Sequence, residues 1–119
     1  MKIIETKTAP AAIGPYSQAM VYGGLAYTSG QIPAVLETGN VVGDSIEAQA
    51  EQSCKNVGAM LAASGTGYEH VIKTTCFLAD MGDFAAFNAV YGKYFTEKPA
   101  RSCVAVKTLP KNVLVEVEV

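Results

Sequence analysis

Four side chains near the C-terminus have the chemistry to hold and transform a small anion: Arg101, Cys103, Glu116 and Glu118. Arg101 is the only arginine in a chain whose other eight basic residues are lysines, and it opens the apolar run SCVAV instead of lying in a charged stretch. A guanidinium grips a carboxylate through two parallel hydrogen bonds, which a lysine point charge does less well. A carboxylate nearby could then orient or activate a water molecule. The competing reading is a solvated sheet face with an ordinary cross-strand ion pair, worth ~0–1 kcal/mol. Cys103 has the weaker claim, because no histidine stands beside it to draw off its proton.

Other chemistries find little support. His70 is the only histidine, so a His-rich metal site is excluded. It lies in YEHVIKTT, where a half-exposed histidine at a strand edge is expected. Cys54, Cys76 and Cys103 lack C-x-x-C spacing, and neither G-x-x-x-x-G-K-[ST] nor G-x-G-x-x-G occurs. Net charge is −2 with scattered lysines, so the electrostatic footprint of a nucleic-acid binder is missing. MKIIETKTAP lacks the apolar core of a signal peptide, and no run approaches the ~20 residues of a membrane span. Three widely spaced cysteines without an export signal suggest reduced thiols and a cytoplasmic protein.

The elements that must position these residues can be read from pattern. QAMVYGGLAYTSGQIP holds two strand-like runs around Gly23-Gly24, a hairpin signal. Asp44 and Glu47 form a D-x-x-E capping box, and Ile46, Ala50, Cys54, Val57 and Leu61 follow at helical spacing. Gly65 is the expected stop. HVIKTTCFLA reads as a strand. DFAAFNAVYGKYF reads as a second helix with Phe84, Phe87, Tyr91 and Tyr94 on its apolar face, Asn88 at the border, and Pro99 ending it. ARSCVAVKTLPKNVLVEVEV looks like an antiparallel hairpin around a Pro-containing turn. The sum is one α+β domain over residues 1–119, with two helices on one face of a sheet. Half the residues are hydrophobic and 17% are charged, an excess that points to an oligomer interface.

Register sharpens the expectation. Pairing Val106 with Val113 and Val104 with Val115 puts the valines on the helix face. Arg101 and Cys103 then share the other face with Glu116 and Glu118.

IGPYSQAM, YTSGQIP, NAVYGKYF, PARSCVAV and LPKNVLVEVEV together resemble the Rid family, in particular its RidA subgroup of enamine/imine deaminases, over the whole chain. The resemblance implies a chorismate-mutase-like fold, a homotrimer with active sites between subunits, and no cofactor or metal. It implies hydrolysis of 2-iminoacids such as 2-iminopropanoate and 2-iminobutanoate to 2-ketoacids and ammonia. On the matching motifs, Arg101 would clamp the substrate carboxylate and Glu116 would position water. Tyr16, Ser29, Gly30 and Asn88 would lie near the substrate, with Cys103 as pocket wall. The stretch before Pro99 is shorter than in members with an inserted loop, and many members extend the last strand past Val119. Ribonuclease or translation-inhibitor activity, and a non-catalytic carboxylate-binding or chaperone-like role, are the alternatives.

Overall fold

The computed structural model describes residues 1–119. Six strands and two helices alternate as β1 (Lys2–Ile4), β2 (Ala19–Tyr22), β3 (Leu25–Thr28), α1 (Ile46–Ala63), β4 (Lys73–Leu78), α2 (Phe84–Tyr94), β5 (Ala100–Ala105) and β6 (Val115–Glu118). The fold is α+β, as expected, and the short β1 is an addition to the sequence reading. The strands form two three-stranded sheets, β1-β2-β3 and β5-β4-β6. These join edge to edge where Gln31 bridges Val117 and the Thr28 N–H donates to the Val119 carbonyl at 3.0 Å.

Local chemistry explains the boundaries. Gly23 and Gly24, at φ 61° and 80°, supply the left-handed turn that closes the β2–β3 hairpin. α1 starts one residue later than its capping box suggested. Ser45 is the N-cap, and its hydroxyl accepts from the Ala48 N–H at 3.2 Å. Gly65, at φ 82°, ends the helix as expected, with Thr66 N–H reaching back to the Leu61 carbonyl at 2.9 Å. α2 stops at Tyr94, so Pro99 lies beyond its end. No helix is long and apolar enough to cross a membrane.

Both helices cover one face of the joined sheets. Ala50, Cys54, Val57 and Leu61 of α1 meet Phe87, Val90 and Tyr91 of α2 over Cys76, Leu78, Val115 and Val117. Two buried amides of α1 fix the loops. Gln49 accepts from the Leu114 N–H at 2.8 Å, and Asn56 donates to the Ile32 and Ala34 carbonyls at 3.0 and 2.9 Å.

The expected C-terminal hairpin does not form. β4 lies between β5 and β6, parallel to the former and antiparallel to the latter. Arg101 pairs with Thr74 and Cys103 with Cys76, while Phe77 pairs with Glu116. Paired residues share a face. Arg101 and Cys103 therefore lie on the helix side with Val115 and Val117, and Val104, 46% exposed, lies on the other side with Glu116. This reverses the expected faces of β5. The cause is the β4–α2–β5 crossover: a strand, a helix and a strand in succession favour parallel pairing of the two strands.

Candidate functional site

The reversal separates Arg101 from Glu116. Within one chain they sit on opposite faces of the sheet, two strands apart, a lateral spacing of about 9–10 Å. The expected ion-pair neighbours Glu116 and Glu118 are thus absent from Arg101, and the residues singled out from sequence fall into two groups.

The first group surrounds Arg101 on the edge strand β5. Its Nη1 donates to the Asn88 side-chain oxygen at 2.8 Å. Its guanidinium carbon lies 4.8 Å from the centre of the Tyr91 ring and 5.4 Å from that of Phe84. Such cation–ring contacts are worth ~0.5–2 kcal/mol, rising with desolvation. The side-chain contacts of charge-bearing groups with carboxylates are Lys93–Glu51 and the exposed His70–Glu69 contact, so no carboxylate neutralises Arg101. The half-buried guanidinium is held by neutral groups alone. Cys103 lies beside it on the same face, half-buried. Burial raises the Cys103 thiol above its ordinary pKa, and the Arg101 charge opposes this without reversing it. The group is a neutral thiol near pH 7, suited to a wall and poorly suited to nucleophilic attack. Burial pushes Cys54 and Cys76 up to about 12.

The second group gathers around Gly30. Gln31 and Val117 exchange backbone hydrogen bonds of 2.8 and 3.2 Å, which brings Gly30 against Glu116. A methyl group added at Gly30 would overlap the Glu116 carboxyl, 2.8 Å from its Cδ. In this arrangement the Glu116 carboxyl occupies the space that a side chain at position 30 would fill. Burial raises the Glu116 carboxyl above its ordinary pKa, and repulsion from Glu118 adds to it. Glu116 makes no ion pair. Tyr16, Ser29 and Gly30 line a neighbouring cavity of about 370 Å³. Ser29 is fixed there by donating its hydroxyl to the Ser17 carbonyl at 2.6 Å. The Tyr16 phenol, on a side chain 49% exposed, accepts from the Ile13 N–H at 3.2 Å. Buried Gln18 anchors the loop leading to it, donating to the Pro10 carbonyl at 2.8 Å and accepting from the Thr6 N–H at 2.8 Å.

Each chain thus carries a guanidinium without an acidic partner on one face and a half-buried carboxylate beside a cavity on the other. His70 belongs to neither, being an exposed residue of the short turn Tyr68–His70. Sequence reasoning assigned Phe84 and Tyr91 to core packing and missed their contact with Arg101. Their spacing carried a signal, since positions 84, 88 and 91 fall on one helical face and align the two rings with Asn88.

Known proteins resemble this chain over nearly its whole length. The family described as Endoribonuclease L-PSP matches residues 6–119. A Lactococcus lactis protein described as a regulator, AldR, is 56% identical, with 100% of this chain and 95% of that protein covered. The 2-iminobutanoate/2-iminopropanoate deaminase of Escherichia coli K12 is 50% identical, with 98% of this chain and 94% of that protein covered. The crystal structure of E. coli TdcF with bound serine superposes with a TM-score of 0.94 at 45% identity, covering 99% of this chain and 95% of that one.

Proposed function

Because this chain belongs to the Rid family, whose matching model carries the description Endoribonuclease L-PSP, we propose that it hydrolyses small 2-iminoacids to 2-ketoacids and ammonia. The observation that carries the reading is Arg101, a half-buried guanidinium fixed by Asn88, Phe84 and Tyr91 with no acidic partner. Such a group is a receptor for a carboxylate. The serine bound by the TdcF relative, and the deaminase named at half identity, support a small amino-acid-like substrate.

Arg101 and Glu116 serve one substrate only if two copies of the chain supply them. The family resemblance implies a homotrimer with sites between subunits, and we take that to be the active unit. The sheet face away from the helices supports this. It exposes Ile3, Tyr22, Leu25, Tyr27 and Val104, more apolar surface than water favours. Covering it with a neighbour would bury the face that carries Glu116, while Arg101 lies on an edge strand open to a second copy.

Chemistry follows from the two half-sites. Arg101 takes the carboxylate and so orients C2 of the protonated imine, with Cys103 as wall. Glu116 accepts a proton from water as the water oxygen bonds to C2, giving a carbinolamine. Glu116 then returns the proton to nitrogen, the C–N bond breaks as the carbinolamine hydroxyl becomes the keto carbonyl, and the hydroxyl proton leaves with ammonia as ammonium. The upward shift of Glu116, caused by burial and by Glu118, suits a group that must both take and return a proton. Tyr16, Ser29 and Gly30 would line the remainder of the cleft.

A coupled assay tests the reading. A dehydratase generates 2-iminobutanoate, and ketoacid formation is followed with and without the protein. Acceleration is expected; tight ligand binding with no acceleration would instead favour a non-catalytic carboxylate binder. RNA cleavage has poor electrostatic support, given a net charge of −2.

Gly30→Ala is a sharp secondary test. The backbone at position 30 is not left-handed, so alanine brings no strain of its own, and its methyl acts by displacing the Glu116 carboxyl. Turnover is expected to fall by about 10²-fold, as for loss of a general base, with the fold retained by circular dichroism. Full activity in this variant would count against a reaction that needs the Glu116 carboxyl fixed where it now lies.

A further inference from the structure

We infer that Tyr91, anchored by Thr74, is a positioning residue for Arg101, and that its ring does what an acidic residue would otherwise do. The inference rests on the reading of Arg101 as the carboxylate receptor and deepens it.

A guanidinium on a flexible stem must be oriented before a small ligand can use both of its N–H edges. An aspartate or glutamate would orient it, but would also cancel its charge and occupy the donors the ligand needs. An aromatic face attracts the cation without accepting its in-plane N–H groups. Arg101 has such a support: its guanidinium carbon is 4.8 Å from the Tyr91 ring centre and 5.4 Å from that of Phe84. Asn88, a neutral acceptor, takes a hydrogen from Nη1 at 2.8 Å. The fork is oriented while its charge stays uncompensated.

The Tyr91 ring is itself fixed. Its hydroxyl is 2.8 Å from the Thr74 hydroxyl in a buried pair. It stacks on Phe95 with centres 4.4 Å apart and planes 24° apart. Thr74 is also the residue directly opposite Arg101 in the β4–β5 ladder. One rung of the sheet therefore sets both the backbone under the guanidinium and the far end of the ring that supports it.

The consequence is a receptor whose strength for a planar carboxylate depends on the ring, not only on the charge. Binding of 2-ketobutyrate, a carboxylate the protein does not consume, reads this directly. Tyr91→Leu keeps apolar bulk and removes the ring, and should weaken binding about tenfold. KM for the imine should rise to match, with kcat within about threefold of wild type. Tyr91→Phe keeps the ring but unties it from Thr74, and should weaken binding by about threefold, between wild type and Tyr91→Leu. In an Arg101→Lys background the Tyr91→Leu change should cost less than about threefold, because no planar fork remains to be oriented.

A purely structural tyrosine gives another pattern: lower melting temperature in both backgrounds and unchanged binding by the folded protein. Unchanged binding in Tyr91→Leu, or the same loss repeated beside Arg101→Lys, overturns the inference while leaving the receptor reading intact. If Tyr91→Leu does not fold, Phe84→Leu, at a half-buried ring, is read the same way, and unchanged binding there overturns it as well. Wild-type protein that fails to bind 2-ketobutyrate overturns the receptor reading, and this inference with it.

Discussion

Arg101→Lys is expected to lower kcat/KM for 2-iminobutanoate hydrolysis by about 10- to 100-fold, the cost of one or two lost charge-assisted hydrogen bonds. Charge is retained in this variant, so what it removes is the planar fork. A lysine there has three donors on a compact head and cannot present two parallel N–H groups to one carboxylate. It also loses the flat contact with the Tyr91 and Phe84 rings and the fixed approach to Asn88. The substrate carboxylate is present in ground and transition states alike, so most of the loss belongs in KM. A smaller loss in kcat follows because a loosely held carboxylate no longer aims C2 at the water. Steady-state kinetics in the coupled assay measure both parts. A variant with wild-type kcat/KM would show that charge alone is needed at position 101, and the clamp would be abandoned.

Glu116→Gln should lower kcat by about 10²- to 10⁴-fold, the usual range for a positioned general base, with a much smaller change in KM. Glutamine keeps the shape beside Gly30 but cannot take a proton from water. The pH dependence provides a second signature. Burial, reinforced by repulsion from Glu118, raises the Glu116 carboxyl above its ordinary pKa. The working carboxylate form is lost as pH falls through that raised value. The acid limb of the wild-type profile should therefore lie above the ordinary carboxylate range and vanish in Glu116→Gln.

Stability should move the other way. A carboxyl whose folded pKa is raised binds its proton more tightly folded than unfolded. Its contribution to stability is full below the unfolded pKa and is lost as pH rises through the folded one. At pH 7 the wild type keeps a desolvated charge that the neutral amide lacks, so Glu116→Gln should be no less stable than wild type. Thermal unfolding checks this. A variant both inactive and unfolded would say nothing of catalysis, whereas an inactive and stable one isolates the proton transfer.

The chemistry-bearing residues were more legible than their arrangement. Helical periodicity found both helices, because Cys54, Val57, Phe87 and Tyr91 do face a common core. The Gly23-Gly24 turn and the Gly65 stop were readable because a left-handed φ leaves a mark in residue type. Strand order left no such mark. β5 and β6 show the same alternation whether they pair with each other or with β4, and the valine pattern is satisfied by either solution. The short loop and its proline favoured the hairpin. Deciding against it required knowing that β4, flanked on both edges, completes a crossover through α2. The wrong pairing then carried Arg101 to the wrong face. The resemblance to the Rid family assigned the same residues to an interfacial cleft without needing the register. Asn88 shows the limit of pattern most plainly. Pattern alone put it at the border of the apolar face and gave it no role, which only the resemblance supplied, yet its side chain holds the guanidinium.

The separation of Arg101 and Glu116 on opposite sheet faces makes one measurement decisive. Arg101→Ala and Glu116→Ala proteins are each prepared, then co-expressed so that subunits mix, and imine hydrolysis is compared with either variant alone. If each site takes its arginine from one copy and its glutamate from the next, mixed assemblies contain sites with both residues intact. Random assortment around a ring restores about one site in four, whatever the number of subunits. Recovery to about a quarter of wild-type activity, from two variants each nearly inactive, is the predicted result. Confirmed subunit mixing with activity no higher than that of the parents would contradict the shared site and the assembly built on it.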